Sequence, residues 1–125
     1  MSRDRGRLMG VRFDLVTIDS PHPDQLALFW RAVLALDEAE REDGDRWIVL
    51  ADAAGTRRIG IQRGRARAGA MHLDLSCDAG GFDDELARLV AIGATLLSAA
   101  RAEPYGRIAN LADPDGNRFD LCSYI

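Results

Sequence analysis

Lysine is absent from the chain. All 16 basic residues are arginine, so no lysine is available as a Schiff-base nucleophile or a catalytic amine. Cysteine occurs only at Cys77 and Cys122, with no CxxC spacing and no histidine at metal-ligand spacing beside either, which predicts free thiols and a reducing, cytoplasmic location. Residues 1–8 contain Arg3, Arg5 and Arg7 but no apolar segment follows, so a secretory signal is not expected. No run approaches the roughly 20 apolar residues of a membrane span. Net charge is −4, which disfavours nonspecific nucleic-acid binding.

What remains is ordinary for a soluble domain: 125 residues, 47% hydrophobic and 29% charged. A loose tail is expected over 1–9 and a single folded domain over 10–125. Val11 to Asp19 is rich in β-branched and apolar residues and predicts a strand. Its faces are Phe13, Leu15, Thr17 and Asp19 against Arg12, Asp14, Val16 and Ile18. Pro23 and Asp24 suit a helix start, and Leu26, Phe29, Trp30, Val33 and Leu34 fall at helical spacing. His22 precedes this start and is expected as a surface cap residue. A charged strand is then expected from Asp37, turning at Gly44, followed by strands at Trp47–Ala51 and Arg58–Arg63. The segment 64–69, with Arg65 and Arg67, reads as a linker.

The same order then returns. Ala70 to Cys77 predicts a strand, with Met71, Leu73, Leu75 and Cys77 on one face and His72, Asp74 and Ser76 on the other. A helix opens at Phe82, carries Leu86, Leu89 and Val90, and closes at Gly93; a strand spans Thr95–Ala99. The final hairpin turns at Asp113-Pro114-Asp115-Gly116-Asn117, where Pro114 presets φ at the second turn position and Gly116 tolerates positive φ. Its second strand places Asp120, Cys122 and Tyr124 on one face and Phe119 and Leu121 on the other. A repeat of roughly 60 residues, strand–helix–three strands, therefore organises the chain into modules of about 10–64 and 69–125.

The Asp-Pro-Asp-Gly-Asn turn, with an acid three residues past Asn117, resembles the last hairpin of the vicinal oxygen chelate superfamily, which includes glyoxalase I, extradiol dioxygenases and bleomycin- and fosfomycin-resistance proteins. The segments Val16–Trp30, His72–Leu75, Leu86–Ala94 and Leu111–Asn117 extend the resemblance to small glyoxalase-like proteins over most of the chain. It implies an α+β fold of two tandem βαβββ modules forming a cup-shaped mixed β-sheet. It also implies one divalent metal (Zn, Ni, Mn or Fe) in the cup, no nucleotide cofactor, a small-molecule ligand and a homodimer.

Carried over position by position, the resemblance puts His72 at the fifth strand's ligand position, Asp120 at the last strand's and Gln62 at or near the fourth strand's. Leu15 falls at the first-strand position and cannot ligate. The metal set is then His72, Asp120 and Gln62, with Lewis-acid chemistry of the lyase, isomerase or dioxygenase kind. Without metal, His72 and Asp120 form a charge-assisted pair in which His72 is the general base. Asp74, Gln62, Cys122 and Trp47 are candidate substrate contacts. Arg65, Arg67 and Arg107 are positioned to receive an anion or to be solvated. A metal-free, drug-sequestering binding protein is the alternative to an enzyme, and the loss at Leu15 motivates it.

Overall fold

The computed structural model describes residues 13–67 and 72–124. The first module comprises β1 (Val16–Ser20), α1 (Pro23–Leu34), β2 (Asp37–Glu42), β3 (Trp47–Ala51) and β4 (Arg57–Arg63). The second comprises β5 (His72–Cys77), a 3₁₀ turn (Ala79–Gly81), α2 (Phe82–Ala91), β6 (Thr95–Glu103), β7 (Gly106–Ala112) and β8 (Arg118–Tyr124). Each module forms a four-stranded sheet, in the order β1-β4-β3-β2 and β5-β8-β7-β6. The first strand pairs in parallel with the fourth, and the other pairings are antiparallel. The parallel pairing requires a crossover, and the helix of each module lies within it. The fold is thus α+β, two cupped βαβββ modules in tandem.

Helix α1 starts with Pro23 at its first position and Asp24 in its first turn. His22 occupies the N-cap but its side chain caps nothing; its backbone N–H instead donates to Ser20 Oγ at 3.0 Å. The helix ends at Ala35, which takes the left-handed conformation (φ 55°) usually left to glycine. Leu26, Phe29, Trp30 and Val33 are buried along one face. They meet Ile48, Leu50, Ile59 and Ile61 of the first sheet, and Phe82, Leu89, Leu111, Phe119 and Leu121 of the second module, in one hydrophobic cluster. Phe29, Trp30 and Phe119 pack edge to face, with centroids 5.1 to 6.2 Å apart.

The 113–117 turn is pinned to that core. The amide of Gly116 donates to Asp113 C=O at 2.9 Å, closing a β-turn, and Gly116 has φ 88°. The Asp113 carboxylate, 2% exposed, accepts from the Asp115 and Asn117 amides, from Asn117 Nδ2 and, at 3.1 Å, from Trp30 Nε1 of the other module. Ser20 Oγ donates to Asp115 across the same junction. Burial pushes the Asp113 carboxyl above its usual range despite these donors.

Two boundaries differ from expectation. The strand expected at Val11–Asp19 is formed over Val16–Ser20, Phe13 to Leu15 precede it, and 11–12 lie outside the described residues, as do Ala70 and Met71 of the fifth strand. β6 runs four residues beyond Ala99, to Glu103. It is an edge strand, mostly exposed on both faces and irregular in register, so its sequence carries no alternating pattern to mark its end.

Candidate active site

The parallel pairing of β5 with β8 sets Asp74 opposite Asp120 and His72 opposite Arg118. Paired residues point to the same face, so these side chains share the side of the second sheet away from Leu73, Leu75, Phe119 and Leu121. His72 Nε2 stands 3.5 Å from Asp74 Oδ1 and 3.6 Å from Asp120 Oδ2. The three residues offer one ligand atom each within 4.8 Å of one another. Exposure is graded: 67% for the Asp74 side chain, 52% for His72 and 14% for Asp120, so Asp120 is the anchor and the other two face outward.

Asp120 is held from β7. Asn110 Nδ2 donates to Asp120 Oδ1 at 2.7 Å, which leaves Oδ2 turned toward His72. The Asn110 amide is itself oriented: its Oδ1 accepts from Ser98 Oγ and Arg101 Nη1, both at 2.9 Å. Arginine can only donate, so the atom it meets must be the oxygen, and the nitrogen must face Asp120. Two carboxylates in register repel unless a cation or proton lies between them. An imidazole nitrogen and two carboxylate oxygens suit a borderline or hard divalent ion such as Zn, Mn or Fe. His72, Asp74 and Asp120 therefore fit a metal.

Gln62 and Trp47, two further residues singled out in the sequence, belong to the first sheet. They pair with each other across β4 and β3, and Gln62 is exposed. A Cβ on Gly60 would stand 2.4 Å from Trp47 Cη2 and 3.2 Å from Leu15 Cδ1. The indole thus lies across the glycine and close to Leu15, while Gln62 and Asp19, paired in register with each other, are polar residues of the same face. Cys122 is buried beside Asp120 on β8, and its hydrogen bond with Tyr124 pushes that phenol up. Arg107 is engaged with Asp83 and lies over the Phe82 ring. Asn110, Ser98 and Arg101 were not singled out in the sequence. The register counted outward from the 113–117 turn would have found Asn110 opposite Asp120.

Beside His72 a cavity of about 240 Å³ opens where β1 meets the starts of β5 and β8. Val16, Ile18, Leu73 and Trp30 supply apolar lining, and Arg67 and Arg118 are among its polar groups. Thr17 and Asp19 line it too, and Arg67 reaches Asp19 at 3.5 Å. Among the described residues no helix is long and apolar enough to cross a membrane.

Comparison with known proteins agrees with this architecture. A glyoxalase/bleomycin resistance protein/dioxygenase family enzyme from Burkholderia phytofirmans superposes with a TM-score of 0.75 at 21% identity, covering 90% of this chain and 98% of that one. The fosfomycin resistance protein FosX from Listeria monocytogenes gives 0.76 at 17% identity, covering 94% and 96%. A glyoxalase-related enzyme from Fulvimarina pelagi gives 0.71 at 23%, covering 90% and 87%. A variant of the Listeria protein was solved with Mn(II) and 1S,2S-dihydroxypropylphosphonic acid. No curated protein matches the sequence significantly. The family model described as a glyoxalase-like domain matches residues 15–122, and the chain belongs to that family.

Proposed function

We propose that this protein is a glyoxalase-like enzyme that binds one divalent cation through His72, Asp74 and Asp120 and acts on a small oxygenated organic molecule in the adjoining cavity. The observation that carries this is the convergence of three ligand atoms within 4.8 Å on one sheet face. Asp74 takes the third place that the sequence left to Gln62. The cation, when bound, supplies Lewis-acid polarisation of substrate oxygens. The chain's own part is to hold Asp120 through Asn110, to present His72 and Asp74 at the open side and to offer a partly apolar cavity that excludes water from the substrate's carbon frame. FosX, a structural neighbour, was solved with Mn(II), which supports testing that ion first.

A second possibility, metal-free ligand binding, is favoured by one observation. Leu15, at the first-strand position, has no ligand atom, and the Trp47 indole lies near it. In that case His72, 3.6 Å from Asp120, serves as a base or as a hydrogen-bond partner for the ligand. We include a homodimer in the proposal. The two free thiols support a reducing, cytoplasmic setting.

The test is Mn²⁺ and Zn²⁺ titration of metal-stripped protein by calorimetry, with His72→Ala and Asp120→Ala alongside. One-site binding that is lost in both variants supports the metal-dependent enzyme. No heat and no thermal stabilisation in the wild-type protein would sink it and leave the metal-free binding protein.

A further inference from the structure

We infer that the cavity beside His72 is a site for a compact organic oxyanion, with Arg118 as its anchor. The ligand would be a small molecule with a carboxylate or phosphonate group on a short apolar or aromatic body. This names the ligand class for the cavity proposed above and rests on the cavity being the ligand site. It does not depend on the metal.

Size comes first. At about 240 Å³ the cavity is below the 300–1,000 Å³ of drug-sized sites, so it suits a ligand of one small ring or a few carbons. Lining comes second. Val16, Ile18 and Leu73, with the nearly fully buried Trp30, make much of the lining apolar, which suits a hydrocarbon body.

Charge comes third. The chain as a whole is acidic, at −4, yet the cavity brings two guanidinium groups, Arg67 and Arg118, against one carboxylate, Asp19. That carboxylate is already matched, since Arg67 lies 3.5 Å from it. Among the described residues Arg118 has no carboxylate within ion-pair distance, which leaves one cation over within the lining; Asp74 and Asp120, the carboxylates beside His72, are not part of it. A planar guanidinium binds a carboxylate or phosphonate in a two-point fork, whereas a neutral amide or alcohol receives only weaker single bonds.

Position comes fourth. Arg118 pairs directly with His72 across β5 and β8, so an oxyanion on Arg118 holds the rest of the ligand beside the imidazole. Apolar lining, surplus cation and reactive group thus follow one another along one small cavity.

The test uses the full chain, ¹⁵N-labelled, titrated with benzoate, phenylphosphonate and the neutral isostere benzamide at low salt. Amide shifts should move in 16–19, 72–73 and 117–118. Benzoate or phenylphosphonate should bind about tenfold more tightly than benzamide, the margin of a charge-assisted over a neutral hydrogen bond. The two acids also distinguish a carboxylate site from a phosphonate site. Arg118→Gln should bring the preferred acid down to the benzamide level while leaving the remaining spectrum in place. Arg118→Lys should recover part of the preference, because charge returns without the fork. Equal affinity for acid and amide, an unchanged preference in Arg118→Gln, or shifts confined to other parts of the protein would overturn the inference. Absence of all binding would overturn both it and the ligand role of this cavity. Neither result bears on Mn²⁺ binding, which is measured separately.

Discussion

Replacing Asp113 tests how the two modules are joined. The carboxylate receives four distinct donors: the Asp115 and Asn117 amides, Asn117 Nδ2 and Trp30 Nε1. In Asp113→Ala all four lose their acceptor. Those at the turn are partly accessible and recover water, but Trp30 is 1% exposed and its N–H has no substitute. A buried donor left unpaired costs about 1–3 kcal/mol. Counting the indole in full and the turn donors in part gives about 3–4 kcal/mol, offset slightly by relief of the buried charge. Against the 5–15 kcal/mol typical of a domain this is a large fraction. At about 3–4 °C per kcal/mol for this size, the melting temperature should fall by about 10–15 °C.

Asp113→Asn keeps the shape but turns an NH₂ toward one of the donors, and should cost about 2–3 kcal/mol. The pH dependence supplies a second check. Burial raises the folded-state pKa of Asp113 above its ordinary 3.8, so between those two values the folded protein holds more protons than the unfolded chain. The Asp113 contribution to stability therefore declines as pH rises through that window and is flat above it. The wild-type advantage over Asp113→Asn should be largest in acid and shrink toward neutral pH. Chemical denaturation of both proteins from pH 3 to 7 measures it. A melting temperature of Asp113→Ala within 3 °C of wild type, or an advantage over Asp113→Asn that grows with pH, would refute the reasoning.

Asn110→Ala removes the donor that fixes Asp120 and should weaken Mn²⁺ affinity by about 10- to 100-fold, the usual effect of losing a partner behind a metal ligand. Calorimetric affinity within twofold of wild type would show that Asp120 orients itself. Ala35→Gly relieves a left-handed conformation that costs a non-glycine residue about 1–2 kcal/mol, offset by the greater freedom of glycine in the unfolded chain. A net gain of about 0.5–1 kcal/mol in urea denaturation is expected, and a loss would place the strain elsewhere.

The tandem modules were legible because the strand–helix–strands order returns twice, because β5 alternates between its faces, and because the Asp113–Asn117 turn has one favoured conformation. Alternation also placed Asp74 beside His72 correctly. It did not reveal that Asp74 lies opposite Asp120, because parallel pairing between β5 and β8 joins segments over 40 residues apart. The Trp30–Asp113 bond spans 83 residues and was equally hidden. Nor does the sequence mark the end of α1, since Ala35 stands where glycine would have announced it.

Trp30 is among the residues around the cavity beside His72 and, nearly fully buried, is fixed by Asp113 inside the folding core. One residue thus belongs both to the surroundings of the cavity and to the core. A smaller residue at position 30 would unsettle the Phe29–Trp30–Phe119 stack and the 113–117 turn before it reshaped the cavity. Substitutions that retune the cavity without touching the core therefore belong at Thr17, Arg67 and Arg118, exposed residues of its lining.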